Sequence, residues 1–166
     1  MIETPSLSFA ITTSSITVFG GSFTNLTVAN SGVRFSSNSG TDYTGYLQQS
    51  TTDFISLSTN TSYGIRVQGR NVAASPTGVI AVSTYTLAAN PANVAASTFS
   101  NVFTSSLTFS WDRNTNPDGS AGSTATEYEA SFTSTTFGAS NDVTLAWSTA
   151  STSGNTVSTN VVASLL

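Results

Sequence analysis

The 166-residue sequence contains no cysteine, no histidine and no lysine. Without Cys there is no disulfide framework, no thiolate nucleophile and no Cys-based zinc or iron–sulfur site. Without His there is no imidazole general base and no His metal ligand. The only cations are Arg34, Arg66, Arg70 and Arg113, set against eight acids, for a formal net charge of −4. Such a chain cannot make the basic surface that nucleic acid demands. No apolar run approaches the ~18 residues that span a membrane. Charged residues make up 7% of the chain, where about 25% is usual. Together these absences remove most routes to enzyme chemistry, and we expect no cofactor, no metal and no catalytic residue.

What replaces the charge is hydroxyl: Ser and Thr are roughly a third of all residues. Ten Phe, five Tyr and a 38% hydrophobic content still suffice for a core. The apolar residues follow period two. Ser6-Leu7-Ser8-Phe9-Ala10-Ile11, Ile16-Thr17-Val18, Tyr63-Gly64-Ile65-Arg66-Val67-Gln68-Gly69 and Leu107-Thr108-Phe109-Ser110-Trp111 all alternate. Alternation means strands with one buried face, and no segment has helical spacing. Turn signals recur at Asn30-Ser31-Gly32, Asn38-Ser39-Gly40, Asn116-Pro117-Asp118-Gly119 and Ser153-Gly154-Asn155. Short strands between such turns predict an all-β sandwich.

The chain also repeats itself. Thr13-Ser14-Ser15-Ile16-Thr17-Val18 returns 91 residues later as Thr104-Ser105-Ser106-Leu107-Thr108-Phe109. That period is a domain, not a solenoid unit. The joint falls near Leu87-Ala88-Ala89-Asn90-Pro91, where Pro91 restricts pairing. The expected domains are 1–88 and 91–166.

Pro91-Ala92-Asn93-Val94, Thr104 to Trp111, Asn116-Pro117-Asp118-Gly119 and Glu127-Tyr128-Glu129-Ala130-Ser131 resemble the first half of a fibronectin type III domain. Ile55 to Val67, with Leu57 and Tyr63, resembles the second half of the same family. The resemblance implies two tandem immunoglobulin-like sandwiches in an extracellular protein of bacterial surface style. It implies Trp111 as the anchor between the sheets of the second domain. It implies Tyr63 as a tyrosine corner, its hydroxyl bonded back to backbone. The position aligned with Trp111 in the first domain is Gly20, so Phe23, Leu26 or Phe35 must fill that core instead.

The second copy stops early. Aligning Leu166 with Leu57 leaves no counterpart of Ser58 to Ala88, the stretch that in this family holds strands F and G. Inner-face residues Tyr128, Ala130 and Phe132 are then expected to lack cover, beside unpaired strand edges. Two readings follow. Either the chain is a fragment, serving as a spacer or as a ligand- or carbohydrate-binding module of a larger secreted adhesin or enzyme. Or another copy supplies the strands, by donor-strand complementation that builds a surface filament head to tail. The partners expected are self, with other surface proteins or glycans as further targets.

Charge placement bears on the second reading. Arg34, Arg66 and Arg70 balance Glu3, Asp42 and Asp53 in the first domain. The second sets Arg113 against Asp112, Asp118, Glu127, Glu129 and Asp142. Alternation turns Arg34 and Arg66 outward, and the topology that the resemblance implies makes their strands neighbours. Arg34, Arg66 and Arg70 are therefore expected on one outer face, and Glu127 and Glu129 point outward from theirs. These opposite faces are the expected assembly surfaces. The carboxylates of Asp112, Asp118, Glu127 and Glu129 do not have the spacing of a calcium loop. Tyr43, Tyr46 and Trp147 are aromatics suited to stacking on a sugar.

Overall fold

A computed structural model of the chain describes residues 5–24, 26–28, 30–92, 94, 98–117, 126, 128–130, 143–145, 151–153 and 156–162. The described residues are all-β, contain no helix, and pair their strands antiparallel throughout. The chain divides into two compact units, Met1–Leu87 and Ala88–Leu166.

In the first unit, β1 (Ser8–Ile11), β2 (Ile16–Phe19) and β4 (Thr51–Phe54) form one sheet in the order β1-β2-β4. β3 (Gly32–Ser36), β5 (Ser62–Arg70) and β6 (Ile80–Tyr85) form another in the order β3-β5-β6. β-Branched and aromatic residues at alternate positions make both sheets one-sided. Their apolar sides meet in a single cluster of Ile16, Val18, Val33, Phe35, Ile65 and Val67, all fully buried. Two antiparallel sheets over one core make a sandwich.

Phe35 supplies the bulk that the first unit lacks at Gly20. A Cβ on Gly20 would sit 3.3 Å from Phe35 Cε1 and 3.4 Å from Val67 Cγ1. The ring therefore occupies the space where a side chain at position 20 would stand. Phe23 and Leu26 pack against the cluster from its margin, as does Leu57. The Leu57 N–H donates to Ser14 O at 2.9 Å. The Tyr63 hydroxyl accepts the Ser58 N–H at 2.8 Å, and the ring is half-buried.

In the second unit, β7 (Phe99–Ser100), β8 (Ser106–Asp112), β11 (Ser151–Ser153) and β12 (Thr156–Val162) form a sheet in the order β11-β12-β8-β7. β9 (Tyr128–Ala130) pairs with β10 (Val143–Leu145) in a separate two-stranded sheet. Trp111 on β8 is buried, and its ring lies 5.3 Å from that of Phe109 and 5.3 Å, edge-on, from that of Tyr128.

The turn-forming Asn116 has a second role. Its side chain is buried, donates to Ala89 O at 2.7 Å and Arg113 O at 3.0 Å, and accepts the Ala89 N–H at 2.8 Å. It pins the start of the unit to the end of the β8 segment. Asn116→Ala strands both polar groups of Ala89, at roughly 1–3 kcal/mol each. The expected result is a denaturation midpoint lowered for this unit, read by tryptophan fluorescence. An unchanged midpoint contradicts the clamp.

Candidate functional site

Two features stand apart from ordinary sandwich packing, one in each unit. In the first unit it is the outer face of β3 and β5. Alternation turns Val33, Phe35, Ile65 and Val67 to the core, which leaves Arg34, Arg66, Gln68 and Arg70 outside. The register sets Arg34 opposite Gln68, Ser36 opposite Arg66 and Gly32 opposite Arg70. All three arginines of this unit thus lie on one face.

Gln68 anchors Arg34. Its Oε1 accepts Arg34 Nε at 2.9 Å, Arg34 Nη2 at 2.6 Å and the Tyr46 hydroxyl at 3.2 Å. Its Nε2 donates to Thr77 O at 2.8 Å, which fixes the amide. The Arg34 guanidinium lies 4.2 Å from the Tyr43 ring centroid and 5.1 Å from that of Tyr46. The Arg70 guanidinium lies 4.0 Å from the Tyr46 ring centroid. Arg66 runs beside Gly40 and the Tyr43 hydroxyl: a Cβ at Gly40 would meet Arg66 Cδ at 2.9 Å and Tyr43 Oη at 3.0 Å. Guanidinium planes stacked on phenol rings gain cation–π attraction and lose freedom.

Tyr43 and Tyr46 reach this face from the irregular segment between β3 and β4. Leu47 bridges Val33 through Leu47 N to Val33 O and Val33 N to Leu47 O, both 2.8 Å. Gly32 permits that approach, because a Cβ there would stand 3.0 Å from Leu47 O and from Tyr46 Cβ. No carboxylate lies within ion-pair distance of Arg34, Arg66 or Arg70 among the described residues. Asp42 takes Asn38 Nδ2 at 2.8 Å, and Asp53 takes Thr17 Oγ1 at 2.6 Å. The face thus carries three positive charges without an ion-pair partner among the described residues, on a chain whose net charge is −4.

The second feature is β9. In the first unit β3 has β5 on one side and the Leu47 bridge on the other. In the second, β9 has β10 as its one strand partner among the described residues. The inner face beside it differs in the same sense. Ile16 and Val18 are fully buried under a cluster completed by Ile65 and Val67. Leu107 and Phe109, 91 residues on, are only half-buried.

Tyr128 departs from expectation. It was expected to lack cover, yet it is 7% exposed, because the Trp111 ring closes over it from the other sheet. Burial pushes its phenol pKa up from the ordinary value, and the neighbouring Asn116 side chain acts in the opposite direction. A raised folded pKa keeps the neutral form in the native state while the unfolded chain ionises. The stabilisation is complete below the unfolded pKa of about 10 and is lost as pH rises above it. A pH series of melts is expected to show the second unit weakening above about pH 10. Tyr128→Phe is expected to flatten that contribution; an identical alkaline slope in the variant contradicts it.

Of the remaining expected residues, Glu129 lies on β9 opposite Thr144. Glu127, Phe132 and Trp147 lie outside the described residues. Asp112 Oδ1 accepts the Asn114 N–H at 2.6 Å. Among the described residues no three His, Cys, Asp or Glu side chains gather as a metal site, and no helix is long and apolar enough to cross a membrane. Gln68 was read only as part of an alternating strand and was not among the expected site residues. Its only sequence signal is its place at i+2 from Arg66 and i−2 from Arg70 on one strand face.

No protein-family model and no curated protein sequence matches the chain. Among solved structures it is similar to chitinase ChiA74 from Bacillus thuringiensis, with 13% identical residues and a TM-score of 0.41. The match covers 95% of this chain and 26% of the chitinase, so the chain spans about a quarter of that protein's length. A likeness at that level carries no inference about activity.

Proposed function

We propose that the chain is an extracellular structural protein made of two fibronectin type III-like sandwiches. In this reading it is a subunit of a cell-surface fibre in which strands from a neighbouring copy complete the second unit. The observation that carries it is the contrast between β3 and β9. β3 has β5 on one side and the Leu47 bridge on the other, while β9 has β10 alone as strand partner among the described residues. An edge strand beside a half-buried apolar face can take an added strand through main-chain hydrogen bonds and side-chain pockets. A second copy is favoured as donor by charge. The first region is neutral overall with its cations on one face, and the second carries the net −4, which steers copies head to tail. Such a contact does not close on itself and extends into a fibre.

Hydrogen exchange at Tyr128–Ala130 tests the reading. Protection is expected to rise with protein concentration as copies assemble. Fast exchange at every concentration contradicts added-strand pairing. In a dilute monomer only amides that face β10 are expected to be protected, and strong protection of all three contradicts completion by another copy.

A further inference from the structure

We propose that the outer face of β3 and β5 in the first unit is a binding site for an acidic glycan, a sugar chain bearing carboxylates. The inference is independent of how the second unit is completed. Its basis is the group of Arg34, Arg66 and Arg70 with Tyr43, Tyr46 and Gln68.

Three properties of the face point to an anion. The cations are concentrated, since all three arginines of the unit lie here. They have no carboxylate partner among the described residues. They are also pre-organised: Gln68 and Tyr43 hold Arg34, and Tyr46 holds Arg70. Fixing a guanidinium in advance lowers the entropy that a ligand must offset. Arg34 spends Nε and Nη2 on Gln68, and no bond from its Nη1 is seen. Guanidinium edges of this kind bind planar carboxylates in paired, charge-assisted hydrogen bonds.

The shape of the face selects among anions. Arg66 and Arg70 are four residues apart on one strand, so their Cα atoms are roughly 13 Å apart, with Arg34 on the adjacent strand between them in register. The ligand must therefore present several negative charges along a line. Nucleic acid is disfavoured, since three cations on a chain of net charge −4 do not offset a dense phosphate backbone. A protein partner needs an apolar centre in its interface. Here the aromatic rings are half-buried and engaged with the arginines, and the strand backbones are already paired within the sheet. A membrane surface gains only about 1 kcal/mol from each basic residue near it, so three cations hold it weakly. A sugar chain with spaced carboxylates suits a polar surface of planar cations and phenol rings, held in place by the buried Gln68 amide.

The test is calorimetric titration of the full chain with polygalacturonate oligomers, with methyl-esterified oligomers as the uncharged counterpart. The expected result is binding of the acid form only, weakened at least tenfold by raising salt from 0.05 to about 0.5 M, in line with charge screening. Arg66→Gln removes a cation that makes no hydrogen bond within the face, and it is expected to weaken binding at least threefold with unchanged melting. The Arg34→Gln, Arg70→Gln double variant is expected to abolish binding. Equal binding of esterified and acid oligomers, or binding unaffected by Arg66→Gln, overturns the proposal. So does no binding of either oligomer. Tighter binding to phosphatidylserine vesicles than to the acid oligomers overturns it in favour of a membrane surface.

Discussion

Phe35→Ala is expected to cost the first unit about 3–5 kcal/mol, the usual range for removing a fully buried aromatic ring. Phe35 is fully buried and fills the space over Gly20, which has no side chain to collapse into the gap. The backbone at Gly20 is also tied to Ser50 O at 2.7 Å, so it cannot move in cheaply. A loss of that size is comparable with the whole stability of a small domain, about 5–15 kcal/mol. Both tryptophans, Trp111 and Trp147, lie in the second unit's sequence. Far-UV circular dichroism follows both units and tryptophan fluorescence only the second, so the loss can be assigned. The expected outcome is an early far-UV transition with the tryptophan midpoint in place. An equal shift of both signals contradicts a core confined to the first unit.

Trp111→Ala is expected to be the most damaging change in the second unit, at about 3–5 kcal/mol. Trp111 is the contact between β8 and Tyr128 on β9, and so between its two sheets. Removing the ring also leaves Phe109 and Tyr128 without their shared neighbour. Trp111→Phe is expected to be much milder. The indole Nε1 is buried and has no hydrogen-bond partner among the described residues, so the smaller ring relieves an unsatisfied donor while it loses area. Denaturant melts followed by far-UV circular dichroism and by Trp147 fluorescence read both variants. Equal losses for Ala and Phe contradict the packing role.

Part of this molecule was legible in its sequence, and the reasons are local. Period-two alternation placed β1, β2, β5 and β8, because strand faces repeat every second residue whatever the tertiary context. The same alternation turned Arg34 and Arg66 outward, and the topology implied by the family resemblance put them with Arg70 on one outer face. The absence of a large residue at Gly20 pointed to Phe35 among three candidates. What the sequence left dark depends on register and on irregular backbone. Tyr43 and Tyr46 come from a segment without period, and their place over Arg34 and Arg70 follows from the Leu47 bridge to Val33. Gln68 became an anchor for Arg34 only through their cross-strand register. Asn116 read as a turn former, and its bonds to Ala89 span 27 residues of sequence. Tyr128 was expected uncovered because only missing strands were considered, while Trp111 already closes over it.

The single strand partner of β9 among the described residues and the half-buried Leu107 and Phe109 underlie the proposal that copies of this chain join through added strands. Sedimentation velocity over a range of concentrations tests it most directly. The expected result is a set of species at multiples of 17.1 kDa that lengthen as concentration rises. A single folded species of 17.1 kDa at every concentration contradicts the claim.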